Sequence, residues 1–517
     1  MAPRRQPATL QQQCVNHLAC RLDHLCDQHA HAHTHAHLLA AAAHLDAVLP
    51  TALQAAIGEE VLVLTEARQV TPSPAHVRVL LLLRAQRLSA SGSVVQSGVF
   101  EEGANGSHLE ALTLLYGGCG GRAAHLYSFL HTAAALTTLV CTDFCDNTMI
   151  DIVARTCPRL HLLDLRGCYD VTDEGMVLLC GLQQGLRGSL EALGRGDVLR
   201  PTAPCCASLR EIKLTMTKVT EAGVAIILLV LTDIHILRVP DVRMEKLFSF
   251  LQTLDHKDVQ CNLREFHSRE ILNEFQLEVL VGLCPNLQYL QVSFTGTPDM
   301  DLARLRLLPR LQKLRRAKFA DVNCDALEWF LREAGARLTH LFLYTYHTRF
   351  SQQKLSISRR HLQVLASHCP HLQALCLDGY ILGEDADLPH RPPHHADLHY
   401  FRELTCLQVA SMKLSEEDLQ VFLAQSRDLR VLELVLHNPH VLHDRLLCDL
   451  LDAGVWTKLA KIRVLNSPLT SRALARLVAE CPRLRELGCL YTWLVPKEHV
   501  AKFKHNVRTQ NFDIEIY

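Results

Sequence analysis

The sequence predicts an α/β fold in which short parallel strands and helices alternate through a stacked array of repeats. Four segments share the pattern Cys-Pro-x-Leu-x-x-Leu-x-apolar, and they begin at Cys157, Cys284, Cys369 and Cys481. Shorter copies without Cys-Pro occupy the intervals, and successive copies begin about 24 to 34 residues apart, in or just above the range of leucine-rich repeats. We therefore expect a leucine-rich-repeat solenoid (a horseshoe) preceded by a small helical segment.

The clearest repeat, residues 157–181, shows how one unit is built. Cys168 occupies the buried turn that follows the strand, and Thr172 is expected to cap a helix whose first turn is acidic. Three leucines are expected to point inward from the strand: Leu160, Leu163 and Leu165. Each unit has an apolar face that it cannot bury alone, so neighbouring units must stack.

Composition limits the function classes. The 517 residues include 53 basic and 54 acidic side chains, and this balance argues against a dedicated nucleic-acid or acidic-membrane binder. The longest apolar run, residues 224–231, is too short to cross a bilayer. Twenty cysteines without a readable secretory signal indicate free, buried thiols in a reducing compartment, the cytoplasm and/or the nucleus.

Four segments are expected along the chain. Residues 1–65 form an N-terminal helical segment, residues 66–100 an irregular linker or degenerate first repeat, residues 101–495 the repeats, and residues 496–517 a C-terminal cap. Two stretches rich in Gly, Pro or His interrupt the repeats and are expected to be inserted loops, which are either binding elements or tolerated surface insertions. These insertions are residues 183–206 and 379–400.

The segment CPRLHLLDLRGCYDVTDEGMVLL resembles the cysteine-containing leucine-rich repeat that is common in substrate-recognition subunits of ubiquitin ligases. The resemblance is specific for the class of repeat. For the ligase role it is suggestive, since similar repeats also serve as scaffolds and inhibitors.

Residues 9–25 predict a short amphipathic helix, because apolar side chains recur at helical spacing. Leu10, Cys14 and Leu18, each separated by three residues, resemble the elongin-binding box of cullin-RING receptors. The resemblance implies that Leu10 is an anchor on elongin C, that Cys14 permits close approach, and that Leu18 and Leu22 flank them. Elongin B/C is the adaptor that this resemblance implies.

A second element follows at LPTAL, where Leu49, Pro50 and Leu53 are similar to the pattern associated with cullin-2. The cullin-5 version has a second proline where Ala52 stands. The combination of an elongin box, a cullin-2 box and leucine-rich repeats resembles the Zyg-type receptors. Those proteins continue into an armadillo-like domain, so their substrate rules are not transferred.

Three alternatives stay open. Residues 9–25 could cap the apolar edge of the first repeat instead of docking an adaptor. Leu49-Pro50 and the aliphatic series through Ile57 also begin like an F-box, which would imply a Skp-type adaptor and cullin-1, although no Trp precedes Trp329 to complete that motif. A leucine-rich-repeat scaffold without any ligase is the third alternative.

The substrate is expected to be a protein that binds the concave face of the solenoid, where strand residues flank the inward leucines. Mixed charge and amphipathic rings on that face favour a protein ligand over a polyanion. The residues expected there are Asp164, Arg166, Lys213, Gln291, Arg315, Phe342, Tyr344, Asp378, Glu433 and Arg463.

Other chemistry finds little support in the sequence. The alternating histidines of residues 29–37 could bind a transition metal, but they fit a flexible spacer equally well. Nucleophile-elbow, phosphate-loop, HExxH and paired-carboxylate signatures are missing from the sequence. We expect no metal site, no cofactor and no enzymatic activity.

Overall fold

In the computed structural model, the chain divides into two compact units, residues 7–266 and residues 267–517, which are called the N-terminal and C-terminal units below. The residues that the structure describes are 9–28, 36–68, 71–100, 104–115, 124–254, 259–345, 355–383, 401–412, 416–436, 438–488, 490–509 and 514–516.

Four helices open the N-terminal unit before the first strand: α1 (Leu10–Gln28), α2 (Ala36–Val48), α3 (Thr51–Ala67) and α4 (Pro74–Leu82). Helix α1 packs against α3, and α2 packs against α4. Helix α4 begins with a capping box, in which Ser73 and His76 each satisfy a backbone N–H of the other. The predicted helix of residues 9–25 is therefore present as α1.

From β1 to β6, each strand of the N-terminal unit pairs in parallel with the next strand along the chain, and each connection contains at least one helix. The strands are β1 (Arg87–Ser91), β2 (Ala111–Leu115), β3 (Thr138–Cys141), β4 (Leu162–Asp164), β5 (Glu211–Lys213) and β6 (Ile236–Arg238). The helices are α5 (Gly92–Gln96), α6 (Ala124–Leu130), α7 (Asn147–Thr156), α8 (Asp173–Cys180), α9 (Gly185–Gly194), α10 (Glu221–Val230) and α11 (Met244–Gln252).

Strand β7 (Glu265–Ile271) contains the division between the two units. The other ladder strands of the C-terminal unit are β8 (Tyr289–Ser293), β9 (Arg316–Ala320), β10 (His340–Tyr344), β12 (Ala374–Asp378), β14 (Cys406–Met412), β15 (Val431–Leu436), β16 (Lys461–Leu465), β17 (Glu486–Gly488) and β18 (Glu515–Ile516). Two short strands pair separately, β11 (Ser356–Ser358) and β13 (Ile381–Gly383). The helices are α12 (Glu274–Leu283), α13 (Pro298–Leu305), α14 (Cys324–Ala334), α15 (Arg359–His368), α16 (Glu416–Gln425), α17 (Asp444–Asp452), α18 (Ser471–Glu480) and α19 (Lys497–Thr509).

The repeat at residues 157–181 folds as its pattern predicts. Leu160, Leu163 and Leu165 are buried, and the Cys168 thiol donates a hydrogen bond of 3.2 Å to the Cys141 carbonyl of the preceding repeat. Thr172 is at the N-cap of α8, as predicted, but its hydroxyl accepts a bond from another repeat instead of capping its own helix. Parallel ladders with buried leucines and intervening helices are the architecture of a leucine-rich-repeat solenoid.

The predicted interruptions differ from each other. The first, residues 183–206, contains α9 and a 3-10 turn at Pro204–Ala207. In the second, residues 384–400 lie outside the described residues, while Tyr380 is buried and donates to the Val322 carbonyl at 3.1 Å. Residues 66–100 contain the end of α3 together with α4, β1 and α5. Among the described helices, none is both long and apolar enough to pass through a bilayer.

Candidate protein-binding surfaces

Helix α1 has two adjoining apolar stripes with different environments. Val15, Ala19, Leu22 and Cys26 recur at i, i+4, i+7 and i+11 and are buried. Helix α1 packs mainly against α3, with smaller contacts to α2 and α4. The first stripe is therefore part of the core of the helical segment.

The second stripe of α1 is open to solvent. Cys14 is exposed, and Leu18 and Leu25 are 36% and 37% exposed. We call Cys14, Leu18 and Leu25 the exposed stripe. Of the predicted adaptor residues, Cys14 and Leu18 lie on it, whereas Leu22 is buried against the helical segment and differs from the exposed position that we expected. The side chain of Leu10 lies outside the described residues.

A network of charged side chains holds α1 in place. The Arg68 guanidinium, just after α3, forms ion pairs with Asp23 and with Asp27, the latter at 2.6 Å. The imidazole of His76 in α4 lies 3.3 Å from Asp23 through Nε2, and its Nδ1 is 2.7 Å from the Ser73 hydroxyl. Burial lowers the pKa of His76, so the ring is neutral. Three elements thus fix the orientation of the exposed stripe.

The predicted cullin-binding residues lie at the start of α3. Pro50 is the N-cap residue and is exposed, while Leu49 and Leu53 are half-buried on either side of it. The Gln54 amide donates to the Leu49 carbonyl at 2.7 Å and fixes this entry to the helix. The three predicted residues are therefore brought together on one helix end.

In the N-terminal unit, the predicted substrate-binding residues form a small ion-pair cluster. Asp164 is only 2% exposed, and its carboxylate accepts from Arg166 Nε at 2.9 Å and lies 3.7 Å from Lys213 Nζ. Lys213 also pairs with Glu211 at 2.9 Å. Asp164 therefore differs from the solvent-facing position that we expected: its two basic neighbours cover it, and Arg166 is the exposed member.

In the C-terminal unit, strand register aligns most of the predicted residues in one row. Gln291, Phe342, Glu433 and Arg463 all belong to this row, which we call the central row. The residues that complete it between β9 and β14 are Lys318, Cys376 and Gln408. Tyr344 and Asp378 are direct partners in the row two residues further along the strands.

The prediction for Arg315 misses the strand by one residue. Strand β9 begins at Arg316, and the Arg315 guanidinium donates to the carbonyl oxygens of Gln312 and Leu314 at 3.2 and 3.1 Å. Since strand side chains alternate between faces, Arg316 and Lys318 occupy the half-buried, solvent-facing positions. The repeat pattern at LQKLRR would predict Arg316 and Lys318 on this face if the strand were taken to begin one residue later, at Arg316.

Strands β8 to β10 present cations against aromatic rings. The Arg316 guanidinium carbon lies 5.2 Å from the centre of the Tyr289 ring, and Lys318 Nζ lies 4.9 Å from that of Tyr344. The rings of His340 and Phe342 are 6.3 Å apart. We call these residues the cationic-aromatic patch. Among the described residues, Lys318 has no carboxylate within ion-pair distance.

Strands β15 to β17 carry charges that neutralise one another. Lys461 Nζ is 3.1 Å from both Glu433 and Glu486, and Arg463 is 3.4 Å from Glu486. The hydrogen bond to Glu433 raises the pKa of Lys461, which therefore stays charged. This half of the strand face has little net charge to offer a partner, in contrast to the cationic-aromatic patch.

Metal binding has no structural support in the part of the chain that the structure describes. No group of three or more His, Cys, Asp or Glu side chains there is arranged to hold an ion. Residues 29–35, which include most of the alternating histidines, lie outside the described residues.

Comparison with known proteins finds similar chains among solved structures. No family model and no curated protein matches the chain. An internalin, InlF, from Listeria monocytogenes is 12% identical with a TM-score of 0.33, covering 75% of this chain and 81% of its own. A leucine-rich-repeat protein of Leptospira interrogans is 13% identical with a TM-score of 0.38, covering 78% and 91%. The complex of Rad7 and Elc1 in yeast gives 14% identity and a TM-score of 0.43, covering 90% and 96%.

Proposed function

We propose that the chain is a substrate-recognition subunit of a cullin-RING ubiquitin ligase. In this proposal α1 docks an elongin-type adaptor, the start of α3 contacts cullin-2, and the strand face holds a target protein. The observation that carries the proposal is the exposed stripe of α1, because an apolar helix face with regular spacing is what a groove-binding helix presents.

The capping alternative explains the buried stripe but not the exposed one. A helix that only covers the helical segment needs one apolar face, and Val15, Ala19 and Leu22 supply it. Leu18 and Leu25 add apolar surface that this packing does not use. Two leucines separated by seven residues, with the small Cys14 in line, form a strip on which a second protein can lie.

The charged network supports docking by reducing its entropic cost. Asp23 and Asp27 are held by Arg68 and His76, so α1 is oriented before any partner arrives. A helix that is already ordered does not lose backbone freedom on binding, and more of its contact energy appears as affinity.

The target chemistry follows from the cationic-aromatic patch. Lys318 supplies positive charge, while Phe342 and Tyr344 supply ring surface. A protein segment with acidic side chains interleaved with apolar ones complements both features. The receptor would act by proximity, because it raises the effective concentration of target lysines near a charged ubiquitin-conjugating enzyme and performs no chemistry itself.

Co-purification with elongin B/C tests the docking surface. Leu18→Glu places a charge in the exposed stripe and should weaken adaptor binding by at least ~30-fold, the scale of a hot-spot residue. Leu82→Glu is the matched control, since Leu82 is equally exposed at 37% but lies on α4. Circular dichroism and melting temperature should show that both variants stay folded.

The alternatives predict different results in the same experiment. Capture of a Skp-type adaptor in place of elongin C would support the F-box alternative. Failure to retain either adaptor, or equal retention by wild type and Leu18→Glu, would contradict the docking proposal and favour a scaffold protein.

A further inference from the structure

Three successive turns of the C-terminal unit, those entering β15, β16 and β17, place equivalent residues side by side. The Ala460 N–H donates to the Arg430 carbonyl at 2.8 Å, and the Arg485 N–H donates to the Ala460 carbonyl at 2.8 Å. These three residues each precede a ladder strand and therefore stack in one row. Ala460 lies in the middle of this row and has the smallest side chain, so a depression, called the dip below, lies between Arg430 and Arg485.

A pocket of about 440 Å³ occupies this dip. Its volume falls within the range of small-ligand pockets. The lining residues are Arg430, Lys458, Ala460, Pro482, Arg483 and Arg485. We call this the arginine pocket.

In the part of the chain that the structure describes, the arginine pocket carries more positive than negative charge. Lys458 pairs with Asp428 at 2.5 Å. In contrast, Arg430, Arg483 and Arg485 have no carboxylate within ion-pair distance among the described residues. Four cations with one carboxylate leave a net charge of about three.

The neighbouring strand residues show that this imbalance is local. Lys461 and Arg463, one and three residues beyond Ala460, are both held by Glu433 and Glu486. Within the described part of the chain, cations of the same repeats are therefore paired on the strand face, whereas the three arginines of these turns are not. A ligand with concentrated negative charge would replace the missing carboxylates.

We propose that the arginine pocket binds a phosphate group, carried either by a small molecule or by a phosphorylated side chain of a bound protein. Guanidinium groups match phosphate oxygens with paired N–H donors, and several can share one dianion. A single carboxylate would satisfy only part of the charge. The site lies in turns of the C-terminal unit and uses no residue of α1, so it does not depend on the proposed ligase role.

Isothermal titration with the full chain at physiological salt tests the site. The probes are pyrophosphate, a phosphoserine peptide and its unphosphorylated counterpart. Arg430→Ala/Arg485→Ala should weaken pyrophosphate binding at least ~10-fold, as expected for lost charge-assisted hydrogen bonds. Arg427→Ala is the matched control, because Arg427 is exposed three residues before Arg430 but does not line the pocket.

Ala460→Leu separates a shaped site from general electrostatic attraction. It fills the dip while leaving every cation in place, and the long side chains at the same position of the adjacent turns show that the row accepts it. Ala460→Leu should therefore also weaken binding at least ~10-fold. If this variant fails to fold, the double arginine variant, whose side chains are exposed, carries the test.

Each outcome decides the proposal. Binding of pyrophosphate alone supports a small-molecule ligand, and binding of the phosphopeptide but not its unphosphorylated form supports a phosphorylated partner. Equal binding by wild type and folded Ala460→Leu, an equal loss in Arg427→Ala, or no binding of either phosphate probe at millimolar concentration would overturn the site.

Discussion

The carboxylate of Asp173 joins two repeats by accepting hydrogen bonds from Thr220. Asp173 is the first residue of α8, and Thr220 is the N-cap of α10. The Thr220 N–H and hydroxyl each donate to it at 2.7 Å, and the Gly223 N–H donates at 3.1 Å. One carboxylate therefore satisfies backbone donors at the start of α10, which that helix cannot satisfy itself.

The same relationship recurs along the chain. Asn147 at the start of α7 accepts from the Thr172 N–H at 3.1 Å and donates to its hydroxyl at 2.8 Å. In the C-terminal unit, Asp444 accepts from the Thr470 N–H at 2.9 Å. These bonds link the helix starts of neighbouring repeats.

Asp173→Ala should destabilise the protein by about 1–2 kcal/mol, because three donors lose their acceptor and one of them, the Gly223 N–H, is partly buried. The free energy of unfolding in urea measures the effect. Asp170→Ala is the control. Asp170 is 77% exposed and its ion pair with Lys218 is long, at 3.9 Å, so its loss should change stability by less than ~0.5 kcal/mol. Equal effects of the two substitutions would contradict the proposed role of Asp173.

Gly223→Val should destabilise the same junction by a steric route. A Cβ at this position would clash with Asp173 Oδ1 and would lie 2.8 Å from a Val219 methyl group. The carboxylate would have to move and lose its bonds to α10, at a cost of about 2 kcal/mol or more. Gly194→Val provides the comparison, since no atom lies within 4 Å of a Cβ there. Comparing the melting temperatures of the two variants should separate the effect of the clash at Gly223 from the effect of replacing a helix glycine by valine.

The sequence predicts the repeat unit well because its signals are local. Leu160, Leu163 and Cys168 are spaced by strand and turn geometry, and their burial follows from that spacing alone. Contacts between repeats are harder to predict. The Thr-x-x-Gly spacing at Thr172 and Thr220 is visible in the sequence. The residues that accept hydrogen bonds from these threonines, Asn147 and Asp173, come from the previous repeat and cannot be identified from that spacing.

The candidate site was predicted less well for a physical reason. A strand boundary misplaced by one residue exchanges the two faces, which is why Arg315 was expected where Arg316 and Lys318 lie. Burial by a neighbour is also not visible in a linear pattern: Asp164 is covered by basic side chains, and Leu22 by other helices. The position of α1 depends on ion pairs between its aspartates and Arg68, which lies more than forty residues further along the chain. The hydrophobic periodicity of α1 does not reveal these pairs.

His76 should make the stability of the helical segment depend on pH. Burial is the main cause that lowers its pKa, opposed by Asp23 and Asp27 and assisted by the Arg68 charge. The unfolded chain therefore takes up a proton at this residue before the folded one does. The stability that the neutral ring contributes is present above a pH of about 6.5 and is lost as the pH falls through that value toward the folded pKa.

His76→Gln tests this expectation, because glutamine can accept from Ser73 and donate to Asp23 but does not titrate near neutral pH. The wild type should lose more stability than the variant between about pH 7 and about pH 5.5. Unfolding in urea at both pH values gives the difference, in which the other histidines cancel. Parallel losses in the two proteins would mean that His76 does not set this dependence.

The three described cysteines of α1 should react differently with an alkylating reagent. Cys14 and Cys20 are exposed, whereas burial, with the charges of Asp23 and Asp27, raises the pKa of Cys26 to about 12. The thiolate is the reactive form, so Cys26 should stay unmodified in the native protein. If the exposed stripe docks an adaptor, elongin B/C should protect Cys14 while Cys20 stays reactive, because Cys20 is six residues further along and off the stripe. Mass spectrometry of the alkylated peptides measures each site, and protection of neither cysteine, or of both equally, would contradict docking through this face.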